Sequence, residues 1–176
     1  MTSLPEPSQP DPSITDVDLA LLRQAISVSE SAVRHGNHPF GALLTDAAGE
    51  VVLTAENTVI SESDVTAHAE TNLVRQASAA FPAAALADFT LYTSCEPCPM
   101  CSGAIFWAGI GRVVFALDEV GLYDITGSTG DAPVLMLPCR DVFARGNRAV
   151  DVAGPALLEE ARRPHLGFWA GLGAGD

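Results

Sequence analysis

Lysine is missing from this chain altogether. Its 176 residues carry nine arginines against 22 acidic side chains, for a formal net charge of −13. A large polynucleotide interface normally offers a basic patch to the phosphates. Nucleic acid is therefore not an expected partner, although a local contact stays open. No run of about 18 apolar residues occurs, so no membrane span is expected. Met1 to Ser13 lacks the basic and apolar regions of a secretion signal, and with four prolines it reads as a disordered tail over residues 1–13. Disulfide scaffolding is also absent. Three of the four cysteines sit together at Cys95, Cys98 and Cys101, which suits a metal and a reducing, cytoplasmic compartment better than a disulfide framework.

No internal repeat is present, and residues 14–170 are long enough for one domain with a real core. Leu19, Leu22, Ile26 and Val33 lie at helical spacing, so a helix is expected from about Asp16 to His35, ended by Gly36. Phe40–Thr45 and Val51–Ala55 read as strands joined by a hairpin at Asp46 to Gly49. A helix near His68, a strand Phe89–Thr93, a second helix to about Ala108 and a strand Arg112–Leu117 follow. Strands alternating with helices demand right-handed crossovers and a sheet covered on both faces. Val120 to Pro133 is glycine-rich and polar, and reads as a loop that could close over a substrate. A last strand at Ala149–Val152 and a helix around Ala156–Arg163 complete the expectation.

The chemistry is concentrated in His68-Ala69-Glu70 and, thirty positions on, Pro97-Cys98-Pro99-Met100-Cys101. An imidazole and two thiolates suit a borderline-soft divalent ion, zinc first. Three protein ligands leave one coordination position for water, which distinguishes a catalytic zinc from a structural one. Bound zinc lowers the pKa of that water to about 7. Glu70 is then free to move protons. Residues two apart do not share a helix face, so His68 and Glu70 can meet one metal only at a helix start, with Thr66 the expected N-cap and Leu73, Ala77 and Ala80 continuing the apolar stripe. Pro99 fits only the first turn of a helix. Cys98 then falls near the cap and Cys101 one turn on. Two positive helix ends would converge on the metal.

Other readings of these residues compete. Cys98 and Cys101 could form a redox pair, but that explains neither His68 nor Glu70. Cys95 could complete a closed structural site with His68, Cys98 and Cys101; at the end of a strand it fits a pocket wall better. Cys139 reads as a small buried hydrophobe. His35, His38 and His165 stand alone in the sequence and read as surface or outer-layer groups.

The H-x-E and P-C-x-x-C motifs are those of zinc-dependent base deaminases, and from Leu19 to Asp118 the chain resembles the cytidine deaminase-like superfamily. The stretch Leu91-Tyr-Thr-Ser-Cys-Glu-Pro-Cys-Pro-Met-Cys-Ser-Gly-Ala-Ile105, with Pro39-Phe40-Gly41-Ala42 and Thr66-Ala67-His68-Ala69-Glu70, resembles the bacterial guanine deaminase branch. Gly111-Arg112-Val113-Val114-Phe115 would suit the tRNA adenosine deaminases equally. The resemblance implies a three-layer α/β/α sandwich around a mixed five-stranded sheet, working as a homodimer. It implies His68, Cys98 and Cys101 as Zn2+ ligands and Glu70 as proton shuttle. Asn57, Phe40 and Ala69 become candidate substrate contacts, and Asp124 the nearest candidate for the acidic residue that holds a guanine edge. Phe168 and Trp169 correspond only loosely to a C-terminal segment that closes such sites. The expected reaction is deamination of a small free purine or related aminated heterocycle, guanine first. Adenine, adenosine, cytosine-type and tRNA substrates stand as alternatives, and a zinc-stabilised binding module without catalysis as a distant one.

Overall fold

The computed structural model of the chain describes residues 9–126 and 134–169. Its centre is a five-stranded sheet in the order β2-β1-β3-β4-β5. The strands are β1 Gly41–Thr45, β2 Val51–Glu56, β3 Thr90–Cys95, β4 Arg112–Leu117 and β5 Asp151–Ala153. β1 runs antiparallel to β2 and β3, whereas β4 runs parallel to both β3 and β5. The sheet is therefore mixed, as expected. Every residue of β1 is buried, and all but the first of β3 and β4, the mark of strands covered on both faces.

Among the described residues eight α-helices surround it: α1 Asp16–Arg34, α2 Val59–Glu62, α3 Ala69–Ala80, α4 Ala83–Leu86, α5 Pro99–Ala108, α6 Glu119–Thr126, α7 Cys139–Phe143 and α8 Leu158–Arg162. Side chains alternate across each strand, which divides the core. Leu43, Tyr92, Val114 and Ala116 pack with Leu22, Ala25 and Ile26 of α1 and with Ala161 of α8. Ala42, Leu44, Leu91, Val113 and Phe115 pack instead with Leu73 and Ala77 of α3, Ile105 of α5 and Phe143 of α7. The result is the three-layer sandwich. α1 opens with a capping box between Thr15 and Asp18. It approaches β1 so closely that a Cβ on Gly41 would overlap the backbone of Ala25 and Ser29. None of the described helices is long and apolar enough to cross a membrane.

Several boundaries differ from the sequence reading. β3 and β5 begin and end later than expected, and the last helix is shorter. Residues 120–126 of the expected loop belong instead to α6, which begins at Glu119. The Asp118 carboxylate accepts from Gly121 N–H at 3.0 Å and so caps the turn. Gly121 is there because a Cβ would meet the Asp118 and Leu117 side chains, not because the chain is loose. Residues 127–133, the rest of that loop, lie outside the described residues, as do 1–8 of the expected tail. In the remainder of that tail Asp11 is tied down. Its N–H donates to Pro155 O at 2.8 Å, and its carboxylate accepts from Gly154 N–H and Arg140.

Candidate functional site

The two helices predicted to converge do so, and each begins on a ligand candidate. His68 is itself the N-cap of α3, in extended conformation with ψ 155. Thr66 was expected in that role, but it belongs to the preceding turn, where its N–H and hydroxyl both donate to Asp64. Cys98 is the N-cap of α5, with Pro99 in the first turn and Cys101 a turn further on. His68 Nδ1 stands 3.7 Å from Cys98 Sγ and 3.6 Å from Cys101 Sγ. One ligand atom from each residue lies within 4.8 Å of the others. A tetrahedral zinc with bonds of about 2.05 Å to nitrogen and about 2.3 Å to sulfur would set nitrogen and sulfur about 3.6 Å apart. The donor set therefore fits the ion in chemistry and in spacing.

Electrostatics agree. The hydrogen bond with the Cys101 thiol holds the Cys98 pKa down to about 4 despite burial, with His68 assisting. The same hydrogen bond and burial push Cys101 up. Two sulfurs thus share one proton, which metal binding would release. The Cys98 contact also raises the His68 imidazole above its ordinary value.

Glu70, in the first turn of α3, is 4% exposed. Thr93 Oγ1 donates to its Oε1 at 2.6 Å, and the Cys101 thiol donates to Oε2 at 3.4 Å. Burial pushes its pKa up, opposed by the Thr93 hydrogen bond. A carboxyl so placed touches the metal group without belonging to it.

Cys95 stays out of that group. Its Sγ lies 3.4 Å from His165 Nε2, so a fourth protein donor from Cys95 is not assembled. Asn57, 1% exposed, accepts from Val59 N–H through Oδ1, and its own N–H donates to Phe40 O. Asn57 and Phe40 are thereby joined through the backbone. Ala69 is buried between the ligand and the acid. Asp124, by contrast, is exposed on α6 and paired with Arg162 at 2.9 Å, on the surface. Glu119 and Tyr123, four apart on α6, share its inner face, whereas Asp124 one position on is exposed.

The C-terminal segment lies against His38 and Phe40. Phe168 and Trp169 pack on His38 at ring distances of 5.9 and 5.3 Å, and Phe40 lies 5.2 Å from His165. His38 feels the charge of His68, though burial is the larger cause of its lowered pKa. His165 is fully buried rather than superficial, and Trp169 Nε1 donates to its Nδ1 at 3.3 Å.

Sequence reasoning missed three supporting residues. Asn72 donates to Glu56 O, Thr58 Oγ1 and Ala67 O, fixing the loop that leads into His68. Glu96 accepts from the N–H groups of Glu119 and Cys139, drawing α6 and α7 toward the cysteines. Glu119 is buried beside them. None carried a motif signal, because each acts through partners remote in sequence.

Residues 15–117 match the family described as the cytidine and deoxycytidylate deaminase zinc-binding region. A Schizosaccharomyces pombe protein named "Probable cytosine deaminase" is 43% identical over 158 residues, 90% of this chain and 96% of the relative. Guanine deaminase of Bacillus subtilis is 41% identical over 99 residues, 56% of this chain and 63% of the relative. A solved structure from a study of A-to-I editing by tRNA:A34 deaminases aligns at a TM-score of 0.64 and 25% identity, covering 83% of this chain and 99% of that one.

Proposed function

The chain belongs to the cytidine and deoxycytidylate deaminase zinc-binding family, whose relatives are hydrolytic deaminases, and from that premise we propose that its substrate is a free nucleobase, cytosine first. The observation that carries the reaction is a carboxyl, Glu70, buried against one member of a His-Cys-Cys set and hydrogen-bonded by Thr93. His68, Cys98 and Cys101 would hold a zinc ion, and such an ion would supply an activated water at neutral pH. Glu70 takes the proton of the attacking water and passes it to the ring nitrogen beside the amino-bearing carbon. It then takes the remaining proton from the hydroxyl added to that carbon and gives it to the departing amine. Water is consumed, the carbon–nitrogen bond breaks, and ammonia leaves with uracil as the other product. Asn57 and Phe40 line the base, and Ala69 offers an N–H that has no intrahelical partner at the first helical position.

Cytosine comes before guanine for two reasons. The relative matched along nearly its whole length carries a cytosine deaminase name. Asp124, the nearest candidate for the residue that would hold a guanine edge, is engaged with Arg162 at the surface. Guanine remains the second reading, supported by the 41% identity to the Bacillus subtilis enzyme. Adenosine in tRNA fits less well with a net charge of −13. We further assign residues 14–170 to one catalytic domain of a cytoplasmic homodimer. The ten-residue α5 carries no charged side chain, and Trp107 on it is 85% exposed, which supports a face built for a second copy.

Ammonia release from the zinc-loaded protein over guanine, guanosine, adenine, adenosine, cytosine, cytidine and a tRNA anticodon stem tests the substrate. Turnover of cytosine, with guanine weaker, is expected. Turnover confined to nucleosides or to the tRNA stem would reject the free-base reading.

A further inference from the structure

Asn72 is a buried amide, 5% exposed next to the buried Leu73 and Val74 of α3. Its Nδ2 lies 3.0 Å from Glu56 O, 2.9 Å from Thr58 Oγ1 and 3.3 Å from Ala67 O. A side-chain amide has two N–H donors, so these three acceptors share two hydrogens. Arg75 Nη2 donates to the Asn72 Oδ1 at 3.3 Å. That contact decides which end of the amide faces the three acceptors. Turned over, its oxygen would meet two carbonyl oxygens.

The acceptors come from two segments that carry different parts of the site. Glu56 and Thr58 flank Asn57, the candidate base contact, at the exit of β2. Ala67 precedes His68, the N-cap of α3. The two segments are paired once by the backbone, where Thr58 N–H donates to Ala67 O at 2.9 Å. Asn72 adds a second tie to the same carbonyl, and its own N–H donates to His68 O at 2.9 Å. On the other segment, Val59 N–H holds Asn57 Oδ1 at 3.1 Å, which orients that amide and leaves its N–H2 end for a base. One buried side chain thus bridges the group that would meet the base and the group that would meet the metal. A buried network of this kind admits one arrangement, because the low dielectric penalises any half-made alternative.

We propose that Asn72 is a positioning residue that couples base binding to metal binding, its N–H2 group holding Asn57 and His68 in one register. The inference rests on the free-base deaminase reading, with Asn57 on the base and His68 on the ion, and deepens it. Neither segment can shift without breaking a bond to the same amide. Asn72 acts through these two residues rather than on the base itself. A ligand held from behind meets the ion in a ready-made geometry, and loss of such outer support typically weakens metal binding by about 10–100-fold. The same loss frees Glu56 O and Thr58 to move, and Asn57 moves with them.

Asn72→Asp tests this, because it keeps the shape, removes both donors and turns a carboxylate oxygen toward Glu56 O and Ala67 O. Two constants are read. One is the zinc dissociation constant, by titrating the metal-stripped protein against a chelator. The other is KM at saturating zinc, for cytosine or for guanine if the wild type prefers it. Zinc binding weaker by about 10–100-fold and a KM raised by about tenfold are both expected. The double variant with Asn57→Ala should show the KM of Asn57→Ala alone, since Asn72 reaches the base through Asn57; independent residues would add. Asn72→Ala serves in the same measurements if the aspartate variant fails to fold. A purely structural Asn72 would lower the Tm of the metal-free protein and leave both constants within about twofold, which overturns the inference while leaving the free-base reading standing. A change confined to one constant, or additive effects in the double variant, overturns it too. Wild-type protein that deaminates no free base overturns the underlying reading, and that result is seen before any variant is made.

Discussion

His165 shows how far a single side chain departs from its reading in isolation. Burial takes its pKa down to about 4, helped by the Arg162 charge. A tryptophan N–H only donates, so the Trp169 contact at Nδ1 leaves the proton on Nε2, facing Cys95. In the unfolded chain an imidazole titrates near 6.5. Between about 6.5 and 4 the unfolded chain therefore binds the extra proton, and stability falls as pH drops through that window. Above 6.5 the contribution is complete. The predicted loss is about 3 kcal/mol, read as the difference in urea midpoints between the wild type and His165→Leu across pH. The variant should be nearly flat where the wild type slopes; parallel curves would contradict a buried neutral imidazole. The His68, Glu70, Cys98 and Cys101 set was legible in the sequence because the constraints are local, two residues here and three there, at helix starts that Pro99 announces. His165, Asn72 and Glu119 were not, because their partners come from other elements. Asp124 misled for the same reason: one helical position decides whether an acid faces the site or Arg162.

Helix α5 carries two of the three ligand candidates and depends on help at its far end. It contains no charged residue and ends on Gly109 in a left-handed conformation, φ 90. Arg148 supplies the missing counter-charge. Its guanidinium donates to Ile105 O, Phe106 O and Ile110 O and lies 4.6 Å over the Phe106 ring. The same residue lines a shallow groove of about 620 Å³ with Arg140 and Phe143, yet its donors are spent on carbonyls rather than left for an anion. Arg148→Met keeps the stem and removes these bonds. A loss of about 2 kcal/mol is expected, or roughly 4–8 °C in Tm, by calorimetry of the zinc-loaded protein; no change would mean that the helix end needs no cap. The central strands were legible as short apolar runs bounded by turn residues, and β4 was placed to the residue. α6 was hidden because Gly121, a glycine required by close packing, looks in sequence like a glycine of a loop.

Across the whole molecule, an acidic chain places the Glu70 carboxyl away from solvent, hydrogen-bonded by Thr93 of β3 and set beside two helix starts. A Glu70 carboxyl held at 4% exposure beside the metal-ligand candidates suits the proposed role of moving protons at a metal it does not bind. The sandwich follows from the order of strands and helices, whereas the choice of base depends on groups that tertiary packing brings together. The most direct test is zinc content and ammonia release measured side by side in the wild type and Glu70→Ala. One zinc per chain is expected in both, with turnover lower in the variant by at least about 10². A variant that still deaminates near the wild-type rate, or that can no longer hold the metal, would contradict the assignment of Glu70 as the proton carrier.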